Sequence, residues 1–138
     1  MLAVLDSSVL VAALRSRQGT SFELLRRLRA RRFTVAISVP LALEYEAVLV
    51  RHAGELGLAH SEVVGLVDYL CEVGKRHDIH FLWRPTLTDP RDEFVLELAV
   101  AAGCDAIVTF NVRDFAGAQR FGVAVMTPAA FLQRMEKT

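Results

Sequence analysis

Five short apolar runs, Leu2 to Leu5, Phe33 to Ile37, His80 to Trp83, Ala106 to Phe110 and Val123 to Met126, alternate with stretches of helical periodicity. Apolar runs this short, without polar alternation, read as strands covered on both faces, and strands that alternate with helices read as βα units. The expected fold is α/β, a parallel sheet with helices on both faces joined by right-handed crossovers. A chain of 138 residues suffices for one packed core. No repeat, low-complexity tract or linker divides it, so one domain over residues 1–138 is expected.

The helix starts carry their own signals. Thr20 followed by Glu23 reads as a capping box, and Ser61 opens a helix running to about Lys75. Thr127-Pro128 reads as an N-cap with proline in the first turn. Asp89-Pro90 repeats that pattern before the apolar segment Phe94 to Ala102, which Gly103 ends. A further helix is expected from about Val39 to Val50, followed by a loosely ordered connection from Arg51 to His60.

Charge and cysteine content exclude several classes. Sixteen basic and sixteen acidic residues cancel, so net charge offers no case for a polyanionic partner. The basic charge is local: Arg15, Arg17, Arg26, Arg27, Arg29, Arg31 and Arg32 face one acid, Glu23, across a short segment. That segment is either a solvated helix face or a phosphate-contacting patch. Cys71 and Cys104 are isolated and the histidines form no HExxH, so neither a disulfide scaffold nor a zinc site is expected. The first apolar stretch breaks at Asp6 and no run reaches a membrane-spanning length, which predicts a soluble cytoplasmic protein.

Five acids, Asp6, Glu44, Asp89, Asp92 and Asp114, fall just past an apolar run or on the helix after it. In an open α/β sheet those positions converge on one edge. Asp6 directly follows the first strand, as a ligand-binding acid or as the cap of the next helix. Glu44 falls within the apolar stripe of Leu41, Tyr45, Val48 and Leu49, where a carboxylate needs a metal or an arginine unless it snorkels to the surface. Asp89 and Asp92 flank a helix start and read as N-cap and first-turn acid, Asp92 being the better ligand of the two. Asn111 and Asp114 form a similar pair, capping or metal-binding, and Thr109 is a candidate hydrogen-bond donor beside them. Clustered carboxylates repel by about 4 kcal/mol per pair at ~4 Å near a protein surface, a repulsion that Mg²⁺ or Mn²⁺ offsets. Oxygen-only donors suit those ions rather than zinc. Such a site suits phosphodiester hydrolysis without a protein nucleophile, and no GxSxG, GxxxxGK[ST] or GxGxxG competes.

The ordered segments VLDSSVLVAAL, LALEYEAVL, LTDPRDEFVLELAVAAGCDAIVTFNVRDF and VAVMTPAAFL resemble a PIN-domain protein over essentially the whole chain. The resemblance is to the PIN toxins of bacterial and archaeal type II toxin-antitoxin systems, akin to VapC. It implies a three-layer α/β/α fold with a five-stranded parallel sheet in the order 3-2-1-4-5. It further implies a Mg²⁺- or Mn²⁺-dependent ribonuclease, a homodimer or higher homo-oligomer, inhibited by a cognate antitoxin. Asp6, Glu44 and Asp92 would be its first three acids. Asn111 stands where many relatives carry an acid, so Asp114 would supply the fourth charge or act through water; Ser8 stands where the family often has asparagine. RNA contact is expected from Arg15, Arg17, Arg26 and Arg27.

Three other readings compete. A response-regulator receiver requires an aspartate ending the third strand and a lysine ending the fifth, positions where this chain has Trp83-Arg84-Pro85 and Thr127. A haloacid-dehalogenase-type phosphatase requires a second aspartate at position 8, which is Ser8. The third is a PIN fold that binds RNA or protein while cutting weakly or not at all, as Ser8 and Asn111 would permit.

Overall fold

The computed structural model describes residues 1–78 and 90–137, apart from the side chains of Pro90 and Arg91. Five parallel strands, β1 (Leu2–Leu5), β2 (Thr34–Ile37), β3 (Lys75–Arg76), β4 (Ala106–Val108) and β5 (Ala124–Met126), form a sheet in the order β3-β2-β1-β4-β5. The helices are α1 (Ser7–Arg15), α2 (Thr20–Arg29), α3 (Val39–Leu56), α4 (His60–Val73), α5 (Pro90–Ala101) and α6 (Pro128–Glu136), and two 3-10 turns join β4 to β5. Steps from β1 through β2 to β3 run one way along the sheet and the return to β4 runs the other. Right-handed crossovers therefore put α1–α4 on one face and α5 on the other. That is the three-layer α/β/α arrangement and strand order expected from the sequence.

The central strands are short, buried and apolar. Ala3, Val4, Leu5, Ala106, Ile107 and Val108 are all buried, as strands covered on both faces must be. α3 packs between α1 and α4, α5 lies across β1, β2 and β4, and α6 packs on α2. Phe131 of α6 closes that side with an edge-to-face contact on Phe33, ring centroids 5.2 Å apart. Thr127 Oγ1 caps α6 as expected, accepting from the Ala130 N–H at 3.2 Å. No helix among the described residues is long and apolar enough to cross a membrane.

Three local expectations are corrected. First, Arg51 to His60 is not a loose connection: α3 continues to Leu56 and stops at Gly57, whose φ of 68° gives the left-handed C-cap. Its apolar stripe persists through Ala53 and Leu56, which pack on the core, and this packing carries the helix past Val50. Second, Thr20 is not an N-cap. Gly19 holds that position without a side-chain bond, and Glu23 turns to Arg27 at 3.2 Å and Arg26 at 3.6 Å. Third, α4 ends at Val73 rather than near Lys75, and the strand pairing with β2 is Lys75–Arg76. The apolar run His80 to Trp83 and Asp89 lie outside the described residues. β3 escaped the hydrophobic pattern because it is a two-residue edge strand with both side chains exposed, and charged residues are what an edge requires.

Gly74 makes the tight passage from α4 into β3. A Cβ there would sit 2.6 Å from the Leu70 carbonyl oxygen and 3.2 Å from Ile37 Cγ2. Neither the backbone oxygen nor the packed strand yields easily. Gly74→Ala should cost about 1–3 kcal/mol, the usual range for overpacking, read as a lower urea midpoint at unchanged slope. A loss within measurement error would show that the passage has room to spare.

Candidate active site

Because all five strands are parallel, every helix or turn that follows a strand starts at one edge of the sheet. The order β3-β2-β1-β4-β5 reverses direction between β1 and β4, the place where open α/β sheets leave a crevice. Asp6 stands there. β1 and β4 align Leu5 with Val108, so the next residues on each strand, Asp6 and Thr109, emerge side by side. Asp6 Oδ2 accepts from Thr109 Oγ1 at 2.7 Å and from Ser8 Oγ at 2.8 Å.

Those hydroxyls are themselves oriented. Thr109 Oγ1 accepts from the Asn111 N–H at 2.9 Å, and Ser8 Oγ accepts from the Phe110 N–H at 3.3 Å. Each hydroxyl has one proton, and the backbone amides direct it at the carboxylate. Asp6 occupies the N-cap position of α1 but makes no capping bond with its side chain, so capping does not account for it. With both hydroxyls on Oδ2, Oδ1 is left to the crevice.

Glu44 comes to the crevice through its neighbour. Tyr45 is buried and its hydroxyl donates to the Leu5 carbonyl oxygen, tying the second turn of α3 to the end of β1. Burial, and after it the negative charge of Asp6, pushes the Tyr45 phenol well above its ordinary range, so it remains a neutral donor. α3 starts cleanly because Ser38 Oγ accepts from the Leu41 N–H at 3.3 Å. Asp92 lies in the first turn of α5 and Asp114 in the 3-10 turn Val112–Phe115 after β4. Asp92 and Glu44 are half-buried, while Asn111 and Asp114 are exposed.

Asp6, Glu44, Asp92 and Asp114 line one cavity of about 650 Å³, with Ser8 and Asn111 in its wall. Thr109 stands behind Asp6, fully buried, and Asp89 lies outside the described residues. As the side chains stand, no three acidic, histidine or cysteine groups among the described residues are close enough to share an ion. The donor chemistry fits a hard divalent ion: oxygen ligands only, one of them rigidly held, in a cavity with room for water.

The arginines divide. Arg15 lines the acidic cavity. Arg17 and Arg26 line a separate depression with Arg29, on the outer side of α2. Arg27 is held by Glu136 at 3.1 Å and Glu23 at 3.2 Å, and these hydrogen bonds, that to Glu136 foremost, raise its pKa. Three cavity residues were missed in the sequence. Arg51 and His52 follow Glu44 at the i+7 and i+8 positions of α3, hidden by the expectation that this helix ends at Val50. Phe110, counted with the fourth strand, is 47% exposed and lines the cavity.

Thr109→Val keeps the shape and removes one donor from a buried carboxylate. It should cost about 1–3 kcal/mol in urea unfolding, whereas Thr109→Ser should cost less. Equal stability of the valine variant and the parent would show that the hydroxyl does not hold Asp6.

Residues 3–113 match the model of the PIN-domain family. No curated protein sequence matches the chain. Among solved structures it is similar to VapBC2 from Rickettsia felis, solved bound to a DNA fragment from their promoter, with a TM-score of 0.57 and 15% identity over 91% of this chain and 97% of that one. It is also similar to a domain of a functionally unknown protein from Methanocaldococcus jannaschii DSM 2661, with a TM-score of 0.53 and 19% identity over 91% and 89% of the respective chains. At such identities the likeness is one of fold alone. The family match covers most of the chain, including the strand ends that carry Asp6 and Thr109 and the helices that carry Glu44 and Asp92: the chain belongs to the PIN-domain family.

Proposed function

We propose that this PIN-domain protein is a metal-dependent endoribonuclease, the toxin of a type II toxin-antitoxin system, working in the cytoplasm as a homo-oligomer under the control of a cognate antitoxin. The observation that carries the nuclease reading is the cavity itself: four carboxylates remote in sequence on one wall system, with oxygen-only donors. The fold likeness to a VapBC2 complex supports the antitoxin partner.

Asp6, Glu44 and Asp92 are the residues that would hold Mg²⁺ or Mn²⁺, with Asp114 as the fourth acid. When bound, a divalent ion supplies acidity to water and stabilises charge on phosphate oxygens. The chain supplies the rest. Ser8 and Thr109 hold Asp6 in one orientation, and such supporting hydrogen bonds govern ligand geometry. Tyr45 fixes α3 to the end of β1 and so sets where Glu44 stands. Arg15, and outside the cavity Arg17 and Arg26, present guanidinium groups to an RNA backbone; Arg27 contributes charge to the same patch while paired with Glu23 and Glu136.

Asn111 favours a second reading, a PIN fold that binds RNA or a protein partner and cuts weakly or not at all. It leaves Asp114, exposed on a short turn, to stand in for a fixed fourth acid. One experiment separates the two. Mn²⁺-dependent cleavage of single-stranded RNA should fall by about 100-fold or more in Asp6→Asn and Glu44→Gln variants that remain folded, as removal of groups acting at a metal centre does. Equal cleavage by parent and variants would identify a contaminating nuclease and leave the binding module as the reading.

A further inference from the structure

We propose that the end of the cavity away from the carboxylates is a phosphate subsite, built from Arg15, Arg51 and His52, which holds a phosphodiester of the same RNA strand adjacent to the one cut. This rests on the nuclease reading above and assigns the cavity its second half.

α1 and α3 lie side by side and form the two long walls. On α1 the lining runs from Ser8 through Val11 to Arg15; on α3 it runs from Glu44 through Val48 to Arg51 and His52. The α1 wall thus carries Ser8 near its start and the α3 wall carries Glu44 in its second turn, each with basic side chains seven or eight residues later, about 10 Å along the axis. One cavity has a negative end and a positive end. A metal alone needs only the first. A nucleic-acid strand, whose phosphates repeat along its length, uses both.

The positive end is organised rather than incidental. Glu55 Oε1 lies 2.7 Å from Arg15 Nη2 and 2.6 Å from His52 Nδ1, so one carboxylate orients an arginine and a histidine from two helices. The His52 bond first, and the Arg15 bond next, hold the Glu55 carboxyl below its usual range. With Nδ1 engaged by Glu55, Nε2 is the imidazole nitrogen left to meet a ligand. Arg51 is exposed, lines the cavity and makes no ion pair among the described residues. Were the cluster only a staple between α1 and α3, Arg51 would have no place in it. Guanidinium groups match phosphate oxygens in fork geometry, and one glutamate does not neutralise two arginines.

The test uses a short, mixed-sequence, fluorescently labelled single-stranded RNA. Its binding is followed in EDTA over a salt series, then its cleavage in Mn²⁺. Arg51→Ala alters only an exposed side chain and should leave folding intact. It should reduce affinity several-fold and lower the slope of log K against log salt by about 0.7, the value for one phosphate contact on a single strand. Arg51→Ala with His52→Ala should lower the affinity further, and in cleavage should raise KM with kcat held within about twofold, the signature of lost uniform binding. Arg51→Lys should restore the salt slope. An unchanged slope, or affinity lost without a change of slope, overturns the subsite even if the protein cuts RNA. A parent that binds no RNA overturns it as well. A parent that binds with the expected slope changes yet never cuts defeats the nuclease reading and leaves the subsite standing.

Discussion

The hydrogen bond from Thr109 to Asp6 joins the ends of two strands that have no covalent reason to be near each other. It exists because β1 and β4 pair in parallel with Leu5 opposite Val108, so the residue after each strand appears at the same height. Everything at the site is referenced to that pair. The buried carboxylate accepts two hydroxyl hydrogen bonds on Oδ2 and none from those groups on Oδ1, so its orientation is fixed from behind.

α3 carries the second reference point. Its Tyr45 hydroxyl reaches the last carbonyl of β1, so the helix is registered against the same strand end that bears Asp6. From there its length decides what the cavity contains. Had α3 ended at Val50, the crevice would have lacked Arg51 and His52. Running to Leu56, it brings Arg51, His52 and Glu55 alongside Arg15 and turns the crevice into a channel with two signs of charge.

The family resemblance drew attention to two substituted positions, and they fare differently. Ser8 retains the function of a side chain that orients Asp6: its hydroxyl reaches Oδ2 at 2.8 Å and is aligned by the Phe110 amide. Asn111 contributes its backbone N–H to the Thr109 hydroxyl while its side chain is exposed. Under the proposed nuclease reading the fourth acid falls to Asp114, on a short 3-10 turn rather than on a long helix.

The order 3-2-1-4-5 was implied by the family resemblance, whereas the residues themselves determined the alternation of strands and helices and the edge of a parallel sheet at which the acids collect. That information is local: an apolar run buried on both faces, a cap, a proline, a stripe at helical spacing. It also singled out Asp6, Glu44, Asp92 and Asp114, because polar residues at strand ends stand out against an apolar background. β3 was illegible because an edge strand of two charged residues carries no hydrophobic pattern, and the capping box at Thr20 failed because Glu23 found better partners in Arg26 and Arg27. Only the tertiary structure decided which hydroxyls hold Asp6, which of the clustered arginines shares its cavity, and that Arg51 and His52 stand opposite Arg15. Those are contacts between residues tens of positions apart, fixed by strand register and helix packing, and no local window of sequence contains them.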